Sequence, residues 1–454
     1  MPFPARPHAT TRFPWKALIA SDHMKPKTSA CEEAAATGPC EPPEPPPRRY
    51  LFIHQNFPGQ FVHVAKALAA RGHEVLGLGI TPRPVEGVQL VRYQLPALKA
   101  HNPLAMVRDF ETKALRGMAC AQAMQALADQ GFEPDLIVAH PGWGEALFCK
   151  DVWPRAPLMV FSEFYYSAQG SDYDFDPEFH CVNLASRSVL RLKNTALMHA
   201  LGAADVAYAP TEWQRRQVPE AYRGKVRVVH DGIDTGRARP DPGARFSLPG
   251  TGLQFKPGDE VLTFVNRNLE PYRGFHIFMR ALPAILKARP DAHCVMVGGD
   301  EVSYGRKPAG GGSWREAMLR EVGALLPMER IHFVGTLPYA QYLQLLQVSR
   351  CHVYLTYPFV LSWSCLEAMS AGCVVVASRT APVEEVMQHG ATGLLFDFFD
   401  VRALADTAVK VLADPAAHAH LGHAARQAVL ARFDLATRCL PDLMALFQQA
   451  AGQD

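Results

Sequence analysis

From residue 49 onward, short apolar runs alternate with segments whose apolar residues recur at helical spacing. Leu51-Phe52-Ile53 predicts a strand, and Phe61 to Ala70 predicts a helix that stops at Arg71-Gly72, where glycine suits a helix end. Further apolar strands are predicted at 74–78, 136–139, 158–161, 206–208 and 226–229. Fully apolar strands that alternate with helices are typical of a parallel sheet covered on both faces.

This alternation is interrupted over residues 236–258, where glycine and proline crowd together. It restarts at 261–265 and continues with strands at 294–297, 331–334, 352–355, 373–376 and 394–396. We therefore predict an α/β fold of two Rossmann-like, doubly wound domains, 49–240 and 259–434, joined by a linker at 241–258 and followed by a C-terminal helix within 435–454. Ligands of such sheets bind beyond the carboxyl ends of the strands, so a central cleft between the two domains is the expected site.

Residues 1–48 carry 11 of the 37 prolines and no pattern that could bury a core, which predicts a disordered, proline-rich tail. The segment lacks the apolar stretch of a secretory signal. Two alternatives stay open for it: a start of the chain at Met24, and a tail that docks on a partner.

Composition narrows the possible functions. Lys+Arg is 46 against Asp+Glu 44, which argues against a protein that coats nucleic acid. No apolar run reaches the length of a membrane span. The 10 cysteines form no CxxC pair and are interpreted as buried thiols of a reducing cytosol. His418, His420 and His423 lie close together, but no carboxylate or cysteine joins them, so we predict no metal site.

Two cations follow the first strand of the second domain. Arg267 closes that strand and Arg273 lies six residues later, before Gly274. Cations at a strand's carboxyl end and a helix's amino end converge where a diphosphate would bind. The alternative is that Arg273 pairs with Glu270 on the surface.

A second motif spans residues 357–372, where a loop leads into a helix that begins near Ser364. Ser364-Cys365-Leu366-Glu367 fits the S-x-x-E capping box, in which the carboxylate would bind backbone. The start of a helix is also an anion site, and a carboxylate beside it can bind ribose hydroxyls. Both interpretations remain open from the residues alone.

In order along the chain, several motifs resemble those of the family-4 (group 1) retaining glycosyltransferases with the GT-B fold, over roughly residues 49–450. Val265-Asn266-Arg267 with Arg273-Gly274 resembles the family's G-R-L…K-G element. The stretch from Leu366 to Ser378 resembles L-E-A-M-A-x-G-x-P-V-V-A-S, and Asp231-Gly232-Ile233-Asp234 resembles the N-G-V-D that ends the first domain.

The resemblance implies roles for several residues. Arg267 and Arg273 would hold the donor diphosphate, Glu367 the nucleotide ribose, and His140 would be the active-site histidine that faces the donor sugar. Gly59 and Gln60 lie in the loop that the family brings close to donor phosphate and acceptor; the alternative for Gly59 is a plain tight turn.

One departure concerns the family's E-x7-E, because the position of its first Glu is Phe359 and no carboxylate lies anywhere from 356 to 366. We expect a loop of three residues, Ser362, Trp363 and Ser364, to take over the contact with the donor sugar. Glu163, with Asp172, Asp174 and Asp176 after it, could shape an acceptor pocket, although a solvated acidic loop is the plainer interpretation. Asp172-Tyr173-Asp174 matches D-x-D but falls in the acceptor half.

The function implied is transfer of a sugar, with retention, from a UDP- or GDP-sugar to a glycan or lipid-linked acceptor in bacterial surface polysaccharide synthesis. No cofactor or metal is expected, since the arginines neutralise the diphosphate. The partners are the nucleotide sugar and the acceptor, with no nucleic acid, and the protein is expected in the cytoplasm with at most peripheral contact at the plasma membrane. Two alternatives stay open: a non-catalytic sugar-nucleotide-binding protein, and a GT-B epimerase or hydrolase.

Overall fold

The computed structural model describes residues 46–96, 104, 106–180 and 182–452. The predicted disordered tail lies outside these residues except for its last three positions. Seven parallel strands form the first sheet in the order β3-β2-β1-β4-β5-β6-β7. They are β1 (Arg49–Ile53), β2 (Glu74–Gly79), β3 (Gln89–Arg92), β4 (Leu136–Ala139), β5 (Leu158–Phe161), β6 (Val206–Ala209) and β7 (Val226–Val228).

Helices cover both faces of this sheet, as its nearly continuous apolar strands require. They are α1 (Val62–Ala70), α2 (Arg108–Asp129), α3 (Cys149–Val152), α4 (Leu184–Lys193), α5 (Thr195–Ala203), α6 (Glu212–Gln217) and α7 (Glu220–Arg223). The edge strand β3 was not predicted, because it is largely exposed and polar rather than an apolar run.

The second sheet repeats this plan with six parallel strands in the order β12-β11-β10-β13-β14-β15. They are β10 (Val261–Asn268), β11 (His293–Gly299), β12 (Ile331–Phe333), β13 (Cys351–Tyr354), β14 (Val375–Ser378) and β15 (Leu394–Phe396). Its helices are α8 (Phe275–Ala288), α9 (Trp314–Val322), α10 (Tyr339–Val348), α11 (Trp363–Ser370), α12 (Ala381–Glu384), α13 (Val401–Ala413) and α14 (Pro415–Arg432). In each sheet the strand order reverses beside the first strand, which is where such folds bind ligands.

The stretch predicted as a linker, 241–258, has structure of its own. It contains a small antiparallel hairpin, β8 (Phe246–Ser247) paired with β9 (Gln254–Phe255). Phe246, Leu248 and Phe255 are buried in a core cluster of the second half. Part of the stretch therefore packs as an appendage of the second half, and the glycines and prolines mark its turns.

After α14 the chain returns to the first half. The last helix, α15 (Leu440–Ala451), buries Leu443, Met444 and Phe447 in the core cluster around β1. The Phe447 ring lies 5.9 Å from Phe52 and 5.8 Å from Tyr208, measured between ring centroids. Among the residues described, no helix has both the length and the apolar character that a bilayer crossing needs.

A second connection between the halves is the strap, residues 164–180, which follows β5 and lies against the second half. Asp172 accepts a hydrogen bond from the Tyr272 hydroxyl at 2.9 Å, and Asp176 accepts one from the Tyr357 hydroxyl at 2.5 Å. Arg280 donates to both oxygens of Glu178, at 2.7 and 2.8 Å. Phe175 packs on Phe398 and Phe399, with ring centroids about 5 Å apart.

Two of the four carboxyls of the strap, those of Asp172 and Asp176, are almost fully buried. The interpretation as a solvated acidic loop is therefore wrong for these two carboxylates, which are held by tyrosine hydroxyls of the other half. Asp174 is exposed, as that interpretation expects. The seven cysteines that the described ranges include are all buried and free, as their apolar surroundings predicted.

Candidate functional site

A cavity of about 710 Å³ lies between the carboxyl ends of the two sheets and is lined from both halves. Of the residues singled out in the sequence, those that line it are Gly59, Gln60, His140, Glu163, Arg267, Arg273, Ser362 and Trp363. Ser364 and Glu367 do not line it. The other lining residues include His54, Trp143, Asp231 and Tyr304, which the sequence analysis did not assign to the site.

On the second half, Arg267 and Arg273 are held in different ways. The Arg267 side chain is exposed to the cleft and makes neither an ion pair nor a hydrogen bond with the described residues. Arg273 ends a short turn, Pro271–Arg273, and is 5% exposed. Gly274 follows with φ +66°, and a Cβ there would lie 2.4 Å from that of Leu355, so this turn requires glycine.

The Arg273 guanidinium is oriented by the loop after β13. Its Nη1 donates to Thr356 Oγ1 at 2.7 Å and to the Val360 carbonyl at 2.9 Å. The guanidinium also lies 5.3 Å from the centre of the Tyr304 ring. These contacts hold a cation at the point of the second sheet where the strand order reverses.

The proposed surface pair of Arg273 with Glu270 does not form. Glu270 is fully buried and accepts hydrogen bonds from the backbone amides of Ser303, Tyr304 and Gly305, at 3.0, 3.2 and 2.9 Å. It thereby places Tyr304 over the cavity. A tyrosine in a glycine-rich loop after a strand was the signal that could have revealed this residue.

The capping box predicted at Ser364 and Glu367 is also absent. Helix α11 begins at Trp363, and the cap is Ser362, whose hydroxyl accepts from the Ser364 amide at 3.3 Å. Glu367 instead accepts hydrogen bonds from the hydroxyls of Tyr339 and Tyr342, at 2.7 and 2.8 Å. Burial raises the pKa of Glu367, an effect that these two donors oppose.

On the first half, His140 follows β4 and is almost fully buried. Its Nδ1 accepts from the Gly142 amide at 3.1 Å, so the hydrogen belongs on Nε2, which lies 3.3 Å from Glu163 Oε2. The imidazole stacks on Trp143 with centroids 4.3 Å apart. Burial raises the pKa of Glu163, but the hydrogen bond and charge of His140, with the charge of Arg267, outweigh it and leave that pKa lowered.

His54 was missed in the sequence, although it follows β1 as His140 follows β4. Its ring lies edge-on to His140 at 5.3 Å and to Trp143 at 4.9 Å. Burial, and the proximity of His140, lower the pKa of His54 to about 3, so it is neutral at physiological pH. A Cβ at Gly59 would lie 2.5 Å from His54 Nε2, and Gly59 has φ +50°, which requires glycine in this turn.

Asp231 follows β7 and faces the cavity with only 6% of its surface exposed. The Trp363 indole donates to its Oδ2 at 3.2 Å. Burial raises the pKa of Asp231 to about 7; the Trp363 hydrogen bond opposes this and the charge of Glu163 adds to it. This carboxyl was quoted in a motif but was not predicted to belong to the site.

Phe359 does not line the cavity. It is 3% exposed and packs on Phe164 of the strap at 4.5 Å and on Tyr304 at 4.9 Å, measured between ring centroids. The position therefore serves packing between the halves.

Within the described part of the chain, one group has side chains close enough to share a metal ion: Asp176, Glu178 and His276, whose ligand atoms lie within 4.8 Å of one another. None of them lines the cavity. Glu178 is engaged by Arg280, and Asp176 accepts from Tyr357, so both carboxylates already have donors. This arrangement is better suited to joining the strap to the second half than to holding a cation.

Two family descriptions match the chain. "Glycosyl transferase family 4 group" matches residues 71–238, and "Glycosyl transferases group 1" matches residues 252–428. Among curated proteins, the GDP-mannose-dependent alpha-(1-6)-phosphatidylinositol monomannoside mannosyltransferase of Mycolicibacterium smegmatis is 27% identical over 55% of this chain and 64% of its own length. The D-inositol 3-phosphate glycosyltransferase of Streptomyces avermitilis is 27% identical over 56% of this chain and 54% of its own length. The match thus spans less than two thirds of the length of each relative.

Solved structures share the architecture. Anabaena Alr3699/HepE in complex with UDP-glucose superposes with a TM-score of 0.62 at 17% identity, covering 89% of this chain and 100% of that one. Sucrose-phosphate synthase from Thermosynechococcus elongatus superposes with a TM-score of 0.64 at 20% identity, covering 88% and 98%. These likenesses confirm the predicted GT-B fold.

Proposed function

The chain belongs to the group 1 glycosyltransferases, and from this premise we propose that it transfers a sugar, with retention, from a UDP- or GDP-sugar to a hydroxyl of a glycan or lipid-linked acceptor. The relatives named for GDP-mannose and for phosphatidylinositol or inositol phosphate support a nucleotide-sugar donor and a polyol or lipid-linked acceptor. A role in bacterial surface polysaccharide synthesis, on the cytoplasmic side of the membrane, is part of the proposal.

The observation that carries the proposal is the anion site on the second half. Arg267, Arg273 and the start of α11, at Ser362 and Trp363, all line the cavity, at the reversal point of the second sheet. Guanidinium groups and a helix amino end are the donors that a diphosphate requires. The Arg273 guanidinium is fixed by Thr356 and Val360, so it needs no reorganisation when negative charge develops.

Stabilisation of the leaving group suits a front-face reaction. The bond from the anomeric carbon to the diphosphate oxygen breaks, the acceptor oxygen bonds to the same face of that carbon, and the acceptor's proton passes to the departing diphosphate. The arginines offset the charge that builds on the diphosphate, and each such donor contributes about 3 kcal/mol in a dry cleft. This route needs no carboxylate at position 359.

On the opposite wall, His140 presents its Nε2 hydrogen toward the cavity and toward Glu163. We assign His140 to the donor sugar and Glu163 to the acceptor side. Gly59 and Gln60 bring backbone to the cavity above His54, where donor phosphate and acceptor would meet.

Charge neutralisation by arginine is the basis for proposing that no metal takes part. The D-x-D stretch, residues 172–174, supports this: Asp172 lies outside the cavity lining and already accepts from Tyr272 and Ser171. Glu367 is proposed to bind ribose from a position fixed by its two tyrosine partners.

The test is release of nucleoside diphosphate from UDP-glucose and GDP-mannose, with and without extracts that contain glycan or lipid-linked acceptors. Acceptor-dependent release is expected, and Arg267→Ala should lower turnover by about a hundredfold while leaving thermal stability unchanged, because the side chain is exposed and unpaired. Arg402→Ala, which removes a 91% exposed arginine on α13, is the matched control.

Other outcomes separate the alternatives. Binding of a sugar nucleotide without release, whatever acceptor is offered, would identify a binding protein. Release that does not depend on acceptor would identify a hydrolase, and conversion of the sugar nucleotide into an isomer would identify an epimerase. Full turnover by Arg267→Ala would refute the placement of the diphosphate.

A further inference from the structure

Three carboxyl groups line the cavity: Glu163, Asp231 and Glu270. Glu270 is occupied by three backbone amides of the loop 303–305. Glu163 is paired with His140. Two of the three carboxyls therefore have partners within the protein that account for their charge.

Asp231 differs from both. It is 6% exposed, accepts one hydrogen bond, from Trp363, and forms no ion pair with any lysine, arginine or histidine of the described ranges. A carboxylate can accept about four hydrogen bonds, so most of its capacity is open. Burying a carboxyl that has a single hydrogen-bond donor lowers the stability of the fold unless a ligand supplies further donors.

The position of Asp231 indicates which ligand group this is. Trp363, its partner, is the first residue of α11, whose amino end belongs to the anion site with Arg267 and Arg273. Asp231 thus lies one side chain away from the start of α11, beside the proposed diphosphate position. The diphosphate carries the nucleoside at one end and the sugar at the other, and the proposed function assigns the ribose to Glu367, which leaves the sugar for Asp231. Sugar hydroxyls are hydrogen-bond donors, whereas a phosphate is an anion that a carboxylate would repel.

The facing loop offers no competing acid. Residues 356–366 contain no Asp or Glu, and Phe359 within them is buried against Phe164 and Tyr304. Glu270, the carboxyl that the second half contributes to the lining, is already held by three amides, so a carboxylate contact to the sugar is expected from the first half.

We propose that Asp231 accepts a hydrogen bond from a hydroxyl of the donor's sugar and thereby makes the site prefer the sugar nucleotide to the free nucleoside diphosphate. This inference rests on the proposed function, since it takes the diphosphate to lie at Arg267 and Arg273. Asp231 is assigned as a specificity residue for the donor.

The experiment compares affinities for two pairs of probes, UDP with UDP-glucose and GDP with GDP-mannose, by isothermal titration calorimetry. Asp231→Asn is the variant, because the amide oxygen can still accept from Trp363 and the side-chain shape is kept. We expect affinity for the free diphosphate to stay within twofold of wild type and affinity for the matching sugar nucleotide to fall about tenfold, as for loss of a hydrogen bond to a charged group. Asp234→Asn is the control: this second carboxyl of the same tetrapeptide accepts from the Arg237 amide and does not line the cavity.

The outcomes separate this inference from the proposed function. Equal affinities of wild type and Asp231→Asn for the sugar nucleotide would overturn the role of Asp231 alone. Equal weakening toward diphosphate and sugar nucleotide would overturn it too, by assigning the residue to the nucleotide or to the fold. If wild type bound neither UDP-glucose nor GDP-mannose, the proposed function itself would be refuted.

Discussion

Because its Asp231 carboxyl is buried, the protein should be less stable at alkaline pH than a variant that lacks this carboxyl. Its pKa is raised from 3.8 to about 7, chiefly by burial. The folded state therefore holds this proton more tightly than the unfolded chain does. The penalty is absent below pH 3.8, grows between pH 3.8 and about 7, and is complete above that range. A difference of about three pH units corresponds to roughly 4 kcal/mol of unfolding free energy.

The surroundings of Asp231 are consistent with a loss of stability when this carboxyl ionises. Glu163 across the cavity adds negative charge, and Trp363 supplies one neutral donor. Tyr208 and Cys439, which also interact with Asp231, have pKa values raised by burial, that of Cys439 to about 12, so both stay neutral at pH 8. Nearby groups therefore offer the ionised carboxyl little compensation.

Asp231→Asn should accordingly raise the free energy of unfolding at pH 8, by up to about 4 kcal/mol, and by only about 1 kcal/mol near pH 4.5. Urea unfolding of wild type and variant at both pH values measures this difference. Asp234→Asn controls for the removal of one negative charge. A gain of the same size at both pH values, or a loss of stability at pH 8, would refute the reasoning.

Two further predictions concern the second half. Glu367→Gln should weaken nucleoside-diphosphate affinity about tenfold, because a charge-assisted hydrogen bond to ribose is lost, while the melting temperature stays near that of wild type. Calorimetry measures both quantities. A lower melting temperature with unchanged affinity would assign Glu367 to the fold. Tyr357→Phe removes the hydroxyl that donates to buried Asp176 and should cost about 2 kcal/mol in urea unfolding. It should also speed proteolytic cleavage of the strap, and cleavage at the wild-type rate would show that this contact does not hold it.

The sequence predicted the two sheets well because buried parallel strands are almost wholly apolar, and a pattern of that kind is visible without tertiary information. It missed β3, which is an exposed edge strand, and the hairpin at Phe246 and Phe255, whose two-residue strands are too short to show a period. Arg267 and Arg273 were singled out because they lie at the carboxyl end of β10 and in the turn after it, where parallel sheets bind ligands, whereas His140 was assigned through the family resemblance.

Asp231 and Tyr304 were missed, although each follows a strand, because a loop position after a strand does not show what the side chain meets. Both depend on where a loop lies after folding: Tyr304 is placed by the three backbone bonds to Glu270, and Asp231 meets Trp363 from 132 residues away. The wrong capping box has a similar cause. Ser364 and Glu367 fit the local pattern, but tyrosines on α10 hold the carboxylate in the folded chain.

Phe359 bears on whether the site is a working one. If the absence of a carboxylate at position 359 meant that an enzyme had become a binding protein, no particular residue would be favoured at that position. The replacement is instead a ring packed between Phe164 of the strap and Tyr304, within 6 Å of the Arg273 guanidinium, measured to the ring centre. Position 359 thus helps to fix both the contact between the halves and the cation at the proposed diphosphate site. That is the arrangement expected of a cleft in which the strap and Arg273 are held in place for catalysis.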